Sequence, residues 1–465
     1  MRGKLITVAI LTFLASMWVP RASTMATPQL SWRSCGERAQ CATLAVPVDW
    51  RDQGTGQTTV ALQKLPATRP TGRTLLVNLG GPGPSIGTDD GRLDQLRQWF
   101  DVVLFDPRGF GRSAGITCPP LPDAFGVLIS DDSATWREFR SANRGWYQNG
   151  CVRRSGGLAA HVDAWQVAHD MEAIRRALGV LRLDYFGNSY GTVYGQSYAD
   201  LFPVRVGRMF LDSLADHTEP WLARSARPQA VAAEQYFDRF ARWCQTMPDC
   251  ALHGQDVASV WQTLLATAAR RPLPAGSGRS VAPERLRAIT LLEVTFPQLW
   301  PALASALQNA QRGDAGGLYQ PPRGGPSGVS TLARCADFPL PGGQTGLLAT
   351  EQVLRHDAPR LGWLAARRDR APCAGLPATN PPRPIRTVGQ PPILVVNGTR
   401  DSGTVPAHGQ SFVAQLPGSR WLGADTGHAV YLGGNQCVRR YANHYLRTGL
   451  LPPPDTICPA TTPNQ

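Results

Sequence analysis

The sequence predicts an α/β fold: a mostly parallel central sheet, interrupted by a mainly helical insertion and resumed near the C-terminus. Three observations predict it. Leu75–Leu79, Val102–Phe105 and Leu183–Phe186, followed by Met209–Leu211, are short unbroken apolar runs. Unbroken rather than alternating apolarity marks parallel strands covered on both faces. Between them Val167, Met171, Ile174 and Leu178 recur at helical spacing, with Glu172 four residues before Arg176 for an exposed ion pair and Gly179 as terminator. Strand signals then return at Ile393–Val396 and Arg420–Leu422, before a helix over Val438–Tyr445.

In chain order, residues 1–26 read as a signal peptide, with Arg2 and Lys4 ahead of the uncharged stretch Leu5–Val19 and small residues after it. That stretch is short of the roughly 20 apolar residues a membrane span needs, and no later segment is long and apolar enough. Residues 27–215 form the first part of the core. From 216 to 390 the text is helical and irregular, with candidate helices at Phe237–Trp243, Leu286–Leu292 and Pro301–Arg312 and Gly/Pro-rich connectors. Residues 391–465 complete the core.

The formal net charge of +13 is carried by scattered arginines, with lysine only at Lys4 and Lys64. No basic run interleaved with aromatics marks a nucleic-acid surface, so a nucleic-acid partner is not expected. The ten cysteines lack CxxC spacing, and no HExxH or His-x-His motif accompanies them. No metal or other cofactor is called for. Cys35/Cys41, Cys244/Cys250 and Cys437/Cys458 could pair, and Cys118/Cys151 with Cys335/Cys373 would complete an even set, although spacing does not fix the connectivity. Disulfides and a leader both imply an oxidising compartment: secreted, extracellular or wall-associated.

The chemistry centres on Gly187-Asn188-Ser189-Tyr190-Gly191, which follows one strand and opens a helix running to about Phe202. A serine there sits on a sharp strained turn with its hydroxyl exposed, while the helix N-terminus faces any developing negative charge. Asn78-Leu79-Gly80-Gly81-Pro82-Gly83 follows an earlier strand, and Gly80 or Gly81 with the Tyr190 amide would bind an oxyanion. A dinucleotide loop is disfavoured because GxGxxG spacing is absent and Pro82 lacks an amide.

A serine nucleophile needs a base, and the base an orienting carboxylate. In the order Ser, acid, His, the base is His428, on the loop after Trp421–Leu422. The acid is Asp401, just beyond the strand ending at Asn397; its rival Asp425 lies three residues from His428 on the same loop. The turn Asp106-Pro107-Arg108-Gly109 reads as a structural buttress of the nucleophile loop.

Together these residues resemble the secreted tripeptidyl aminopeptidases of the proline-iminopeptidase-like α/β-hydrolases. The likeness is carried by GGPG, the 106–113 loop, DMEAIRRALG, GNSYGTVYGQSYADLFP, RMFLDSLAD, the segment at 296–314, Cys335-Ala336-Asp337, Asp401 and His428. It covers nearly the whole mature chain. It implies removal of short N-terminal pieces from peptides, a helical cap over the site, and a tail tied by a late disulfide, which Cys437 and Cys458 match. Two departures stand out: Leu79 where His or Pro is common, and one extra residue in Thr404-Val405-Pro406. An exopeptidase must read a free ammonium; Glu219, Glu234, Glu293 and Asp337 are candidates by location only. The leading expectation is a metal-free exported serine exopeptidase acting on peptide substrates. An esterase or lipase on the same residues is the alternative, followed by an inactive hydrolase-like binding protein. Oligomeric state is not legible.

Overall fold

A computed structural model describes residues 30–69, 72–319, 327–386 and 389–460, so the expected signal segment, 1–26, lies outside the described residues. The first strands are β1 (Arg33–Gly36), β2 (Ala39–Pro47), β3 (Gln57–Leu65), β4 (Thr74–Asn78), β5 (Asp101–Phe105), β6 (Leu183–Asn188) and β7 (Val206–Asp212). A separate ribbon pairs β8 (Leu273–Pro274) with β9 (Ser280–Val281). The chain returns to the main sheet as β10 (Leu394–Gly398), β11 (Arg420–Ala424) and β12 (Ile457–Cys458).

The ten-stranded sheet runs β1-β2-β3-β5-β4-β6-β7-β10-β11-β12. Neighbours from β5 to β12 are parallel, whereas β1, β2 and β3 join antiparallel at one edge. The apolar runs read from sequence are β4, β5, β6 and β7. The antiparallel edge was not, because β2 and β3 are half-covered and mix Gln and Thr with their apolar residues. Strand order reverses between β4 and β6. In an open parallel sheet the crevice at such a reversal, beyond the strands' carboxyl ends, is where ligands bind. The glycine loop after β4 and Ser189 after β6 both open there.

Helices in chain order are α1 (Phe125–Ile129), α2 (Ser133–Gly145), α3 (Ala164–Ala177), α4 (Gly191–Leu201), α5 (Leu222–Thr246), α6 (Val257–Arg270), α7 (Pro283–Val294), α8 (Trp300–Gln311), α9 (Gly328–Asp337), α10 (Gly343–Asp357), α11 (Ala365–Arg370), α12 (Pro406–Ala414) and α13 (Gln436–Thr448). On one face of the sheet α3, α4 and α12 bury Val167, Met171, Ile174, Val193, Tyr198 and Phe412. On the other face α13 contributes Val438, Ala442 and Tyr445. The helix read at 165–178 is α3, with Gly179 at φ +70°. Its ion pair differs from expectation: Glu172 bonds Arg175 at 2.7 Å, one residue before Arg176. A three-residue step serves as well as four on a helix, and the Arg175 guanidinium also reaches the Val180 carbonyl.

The segment between β7 and β10 forms a helical layer with its own core. Trp136 and Phe139 of α2 join Phe237, Trp261, Leu303 and Leu364 there, so residues preceding the insertion contribute to it. The candidate helix at 237–243 is one part of the longer α5. Five disulfides join Cys35–Cys41, Cys118–Cys151, Cys244–Cys250, Cys335–Cys373 and Cys437–Cys458. Among the described residues no helix is long and apolar enough to cross a membrane.

Candidate active site

Ser189 occupies the turn between β6 and α4 with φ +52°, a left-handed conformation that costs a non-glycine residue about 1–3 kcal/mol. The glycines on either side explain how the chain holds it. A Cβ on Gly187 would come 2.5 Å from the Gly191 carbonyl, and one on Gly191 would come 2.6 Å from the Asn78 carbonyl. Gly80 presses on the turn from the β4 loop, where an added Cβ would lie 2.8 Å from Ser189 Cβ and 3.0 Å from the Tyr190 amide nitrogen. The glycine loop and the serine turn therefore meet at the crevice.

Of the three oxyanion candidates, Gly80 is differently employed. Its amide donates to Asn78 Oδ1 at 3.0 Å. The amides of Gly81 and Tyr190 have no acceptor among the described residues. Gly80 is therefore a contact point that only a residue without Cβ allows, with its amide already bonded within its own loop. The Leu79 amide donates to Ser85 Oγ at 2.9 Å, fixing the loop where the sequence departs from the family pattern.

His428 Nδ1 lies 2.6 Å from Asp401 Oδ2, and the imidazole is 45% exposed. Asp401 is buried beneath it, accepting from the amides of Gly403 at 2.8 Å and Thr404 at 3.0 Å and from the Thr404 hydroxyl. The longer Thr404-Val405-Pro406 segment thus wraps the carboxylate with donors. Burial alone would raise the Asp401 pKa, but the hydrogen bond and charge of His428, with Thr404, hold it below the ordinary carboxylate value. The reverse holds for His428: burial lowers its pKa, and Asp401 outweighs burial and raises it. Asp425 is engaged elsewhere, 2.9 Å from Arg400.

The link between the serine turn and the histidine loop is a residue that the sequence reading passed over. The Asp212 carbonyl accepts from the Ser189 amide at 2.9 Å. Its buried carboxylate accepts from Val430 N at 3.2 Å and Tyr431 N at 2.8 Å, just beyond His428. Next to it Ser213 Oγ accepts from Ala429 N at 2.8 Å. Burial raises the Asp212 pKa to about 6 against those amide donors. The only sequence signal was an acid closing an apolar strand.

The 106–113 loop does different work from that expected. Asp106 accepts from the amides of Ser85, Ile86 and Arg112, so it braces the glycine loop rather than the nucleophile turn. Arg108 binds Asp170 of α3 and the Val48 carbonyl, tying α3 to the end of β2. Among the acids considered for a substrate ammonium, two are occupied. Glu234 is held by Arg360 and the amides of Leu361 and Gly362. Asp337 is buried against Tyr190, Ala164 and Asn380. Glu219 is half-buried and accepts from the Trp221 amide through one oxygen at 2.8 Å; Glu293 is half-buried too, and burial raises it to about 7.

The helical layer reaches these loops directly. Ser330 Oγ donates to the Pro82 carbonyl at 2.8 Å, and Gln229 Nε2 donates to the Gly403 carbonyl at 2.7 Å.

In comparison with known proteins, the α/β-hydrolase fold model matches residues 74–434. The chain belongs to that family. Carboxylesterase B of Mycobacterium tuberculosis H37Rv is 30% identical over 93% of this chain and 90% of its own length. Serine protease Hip1 of the same strain is 29% identical, covering 90% and 87% respectively. Tripeptidyl aminopeptidase of Streptomyces lividans is 29% identical, covering 95% and 89%. Among solved structures, proline iminopeptidase from Mycobacterium smegmatis aligns over 87% of this chain and 97% of its own at 16% identity, with a TM-score of 0.40. This chain is thus an α/β-hydrolase whose relatives carry both peptidase and esterase names.

Proposed function

We propose that this α/β-hydrolase is an exported serine exopeptidase that removes short pieces from the free N-terminus of peptides. The observation that carries the proposal is the 2.6 Å His428–Asp401 pair on loops tied through Asp212 and Ser213 to the strained Ser189 turn. In this reading Ser189 attacks the scissile carbonyl while His428 takes its proton and returns it to the leaving amine. Asp401 keeps the imidazole in the productive tautomer and stabilises the imidazolium. The amides of Gly81 and Tyr190 hold the oxyanion, each worth about 10²–10³ in rate at such sites. The aminopeptidase and Hip1 relatives support a peptide substrate. Five disulfides and the 1–26 leader support export. The helical layer serves as the cap, and Glu219 and Glu293 are the acids left to meet a substrate ammonium.

A second reading, a carboxylic-ester hydrolase on the same residues, is favoured by the Carboxylesterase B relative. Free and N-acylated mono-, di- and tripeptidyl fluorogenic amides, assayed beside a short acyl ester, separate the two. Cleavage confined to free-amine peptides supports the exopeptidase and reports the unit removed; cleavage of the ester alone replaces it with the esterase.

A further inference from the structure

Helix α9 touches both the glycine loop and the Tyr190 side chain, and the residues through which it does so define one stripe. Ser330 bonds the Pro82 carbonyl, while the Tyr190 hydroxyl lies 3.1 Å from the Ala333 carbonyl and 2.6 Å from Asp337 Oδ2. Positions 330, 333 and 337 share a helix face, and Arg334 falls on that face too. Arg370, ending α11, donates Nη1 to the Phe338 carbonyl at 3.0 Å, with its guanidinium 4.9 Å from the Phe338 ring. That ring sits edge-on to Tyr190 at 6.2 Å. The Cys335–Cys373 disulfide clamps the two arginine-bearing segments together. Both arginines are half-buried, neither sealed in the core nor free in solvent.

Part of the helical layer pairs its arginines with carboxylates. Arg227 is paired with Asp357, Arg360 with Glu234 and Asp238, and Arg367 with Glu351 and Asp131. Arg334 and Arg370 have no carboxylate within 4.0 Å among the described residues. The nearby acid, Asp369, spends both oxygens on Arg368, at 2.9 and 3.3 Å. Burial pulls Arg370 down to about 10; Asp369 opposes that, and the Arg334 charge adds to it. Two arginine-bearing segments are thus crosslinked near Tyr190, the residue that follows the candidate nucleophile, with Asp369 as a neighbouring charge but no carboxylate within 4.0 Å of either guanidinium among the described residues.

We propose that Arg334 and Arg370 form a carboxylate-binding subsite in the crevice beside Ser189 and Tyr190, so that preferred substrates carry a negative charge near the scissile bond. This deepens the hydrolase reading and rests on it. The carboxylate has two sources in a short peptide: its free C-terminus or an acidic side chain. Both present the same two oxygens to a planar guanidinium fork.

The test is equilibrium binding of peptides to the Ser189→Ala protein by calorimetry. One pair is a tripeptide with a free C-terminus against its C-terminal amide. The other is an amidated tripeptide containing Glu against the same peptide containing Gln. The carboxylate member of at least one pair is expected to bind about 10–100-fold tighter, the range of a charge-assisted hydrogen bond. Which pair discriminates identifies the source. With Arg334→Gln and Arg370→Gln added, the ratio is expected to fall to about threefold or less; with Arg334→Lys and Arg370→Lys it is retained in part, which separates loss of charge from loss of fold. Binding within twofold in both pairs, absence of measurable binding of any peptide, or discrimination surviving in the Gln variant overturns the subsite. Residual peptide hydrolysis by the Ser189→Ala protein would instead count against the nucleophile and leave this comparison readable.

Discussion

Asp401 and Asp337 are both buried aspartates, and each is bonded to a side chain at the crevice, yet their pKa values move in opposite directions. For Asp401, burial is outweighed by His428 and Thr404, and the carboxylate stays ionised below its usual range. For Asp337, burial leads and the charge of Asp163 adds to it, so that Tyr190, Ala164 and Asn380 fail to hold it down and it rises to about 8. The difference lies in the partners. An imidazole can become a cation and reward ionisation, whereas a phenol cannot. In its neutral form the Asp337 carboxyl can donate to the Tyr190 oxygen, leaving the phenol hydrogen for the Ala333 carbonyl at 3.1 Å. One carboxylate is arranged to act as a charge, the other as a hydrogen-bonding strut between α9, α3 and the serine turn.

The sharpest break of that contrast is Asp401→Asn, an isosteric change that leaves His428 without its anion. Turnover of the preferred substrate is expected to fall about 10⁴-fold, measured as kcat against wild type; a loss under tenfold would mean that another acid orients the imidazole. Asp337→Ala comes next. It strands the Ala164 amide and the Asn380 amide group in a dry site, at about 1–3 kcal/mol for each unsatisfied group. Thermal unfolding should start several degrees lower, and an unchanged Tm would show that the strut carries nothing.

The pH dependence sharpens the comparison further. Because Asp401 raises the His428 pKa, and the base must be neutral, the acid limb of kcat/KM should have its midpoint above the ordinary histidine value of about 6.5. Loss of Asp401 should move that limb down. The smallest effect is expected for Asp337→Asn, since an amide reproduces the neutral carboxyl's donor and acceptor. With the folded pKa raised above the unfolded value, the native state holds a proton that the unfolded chain releases, so this group's stabilising contribution falls between about pH 4 and 8. In denaturant titrations at pH 5 and 8, Asp337→Asn should flatten that decline. An unaltered slope would mean that Asp337 is ionised like Asp401.

The part of the site that was legible in the sequence is the part written locally. Gly187, Ser189 and Gly191 announce a strained turn because only glycine tolerates the approaches at either side. Asp401 and His428 could be placed because each closes or follows an apolar strand late in the chain. Asp106 and Arg108 were recognised as structural but given the wrong object, since a loop's sequence does not say which other loop it will face. Asp212 looked like a strand-ending acid and nothing more. Its role depends on Ser189 and Tyr431 arriving from β6 and from beyond β11.

By itself the sequence determined the parallel sheet and the serine turn, and put Asp401 and His428 on loops after late strands, because hydrophobic period and glycine sterics act over a few neighbouring residues. Only the tertiary structure decided that the Gly80 amide is spent on Asn78, that Asp337 is a strut, and that the segments bearing Arg334 and Arg370 are clamped together near Tyr190. Those outcomes depend on desolvation and on the charges and donors that distant segments bring within a few ångströms, and neither quantity exists until the chain has folded.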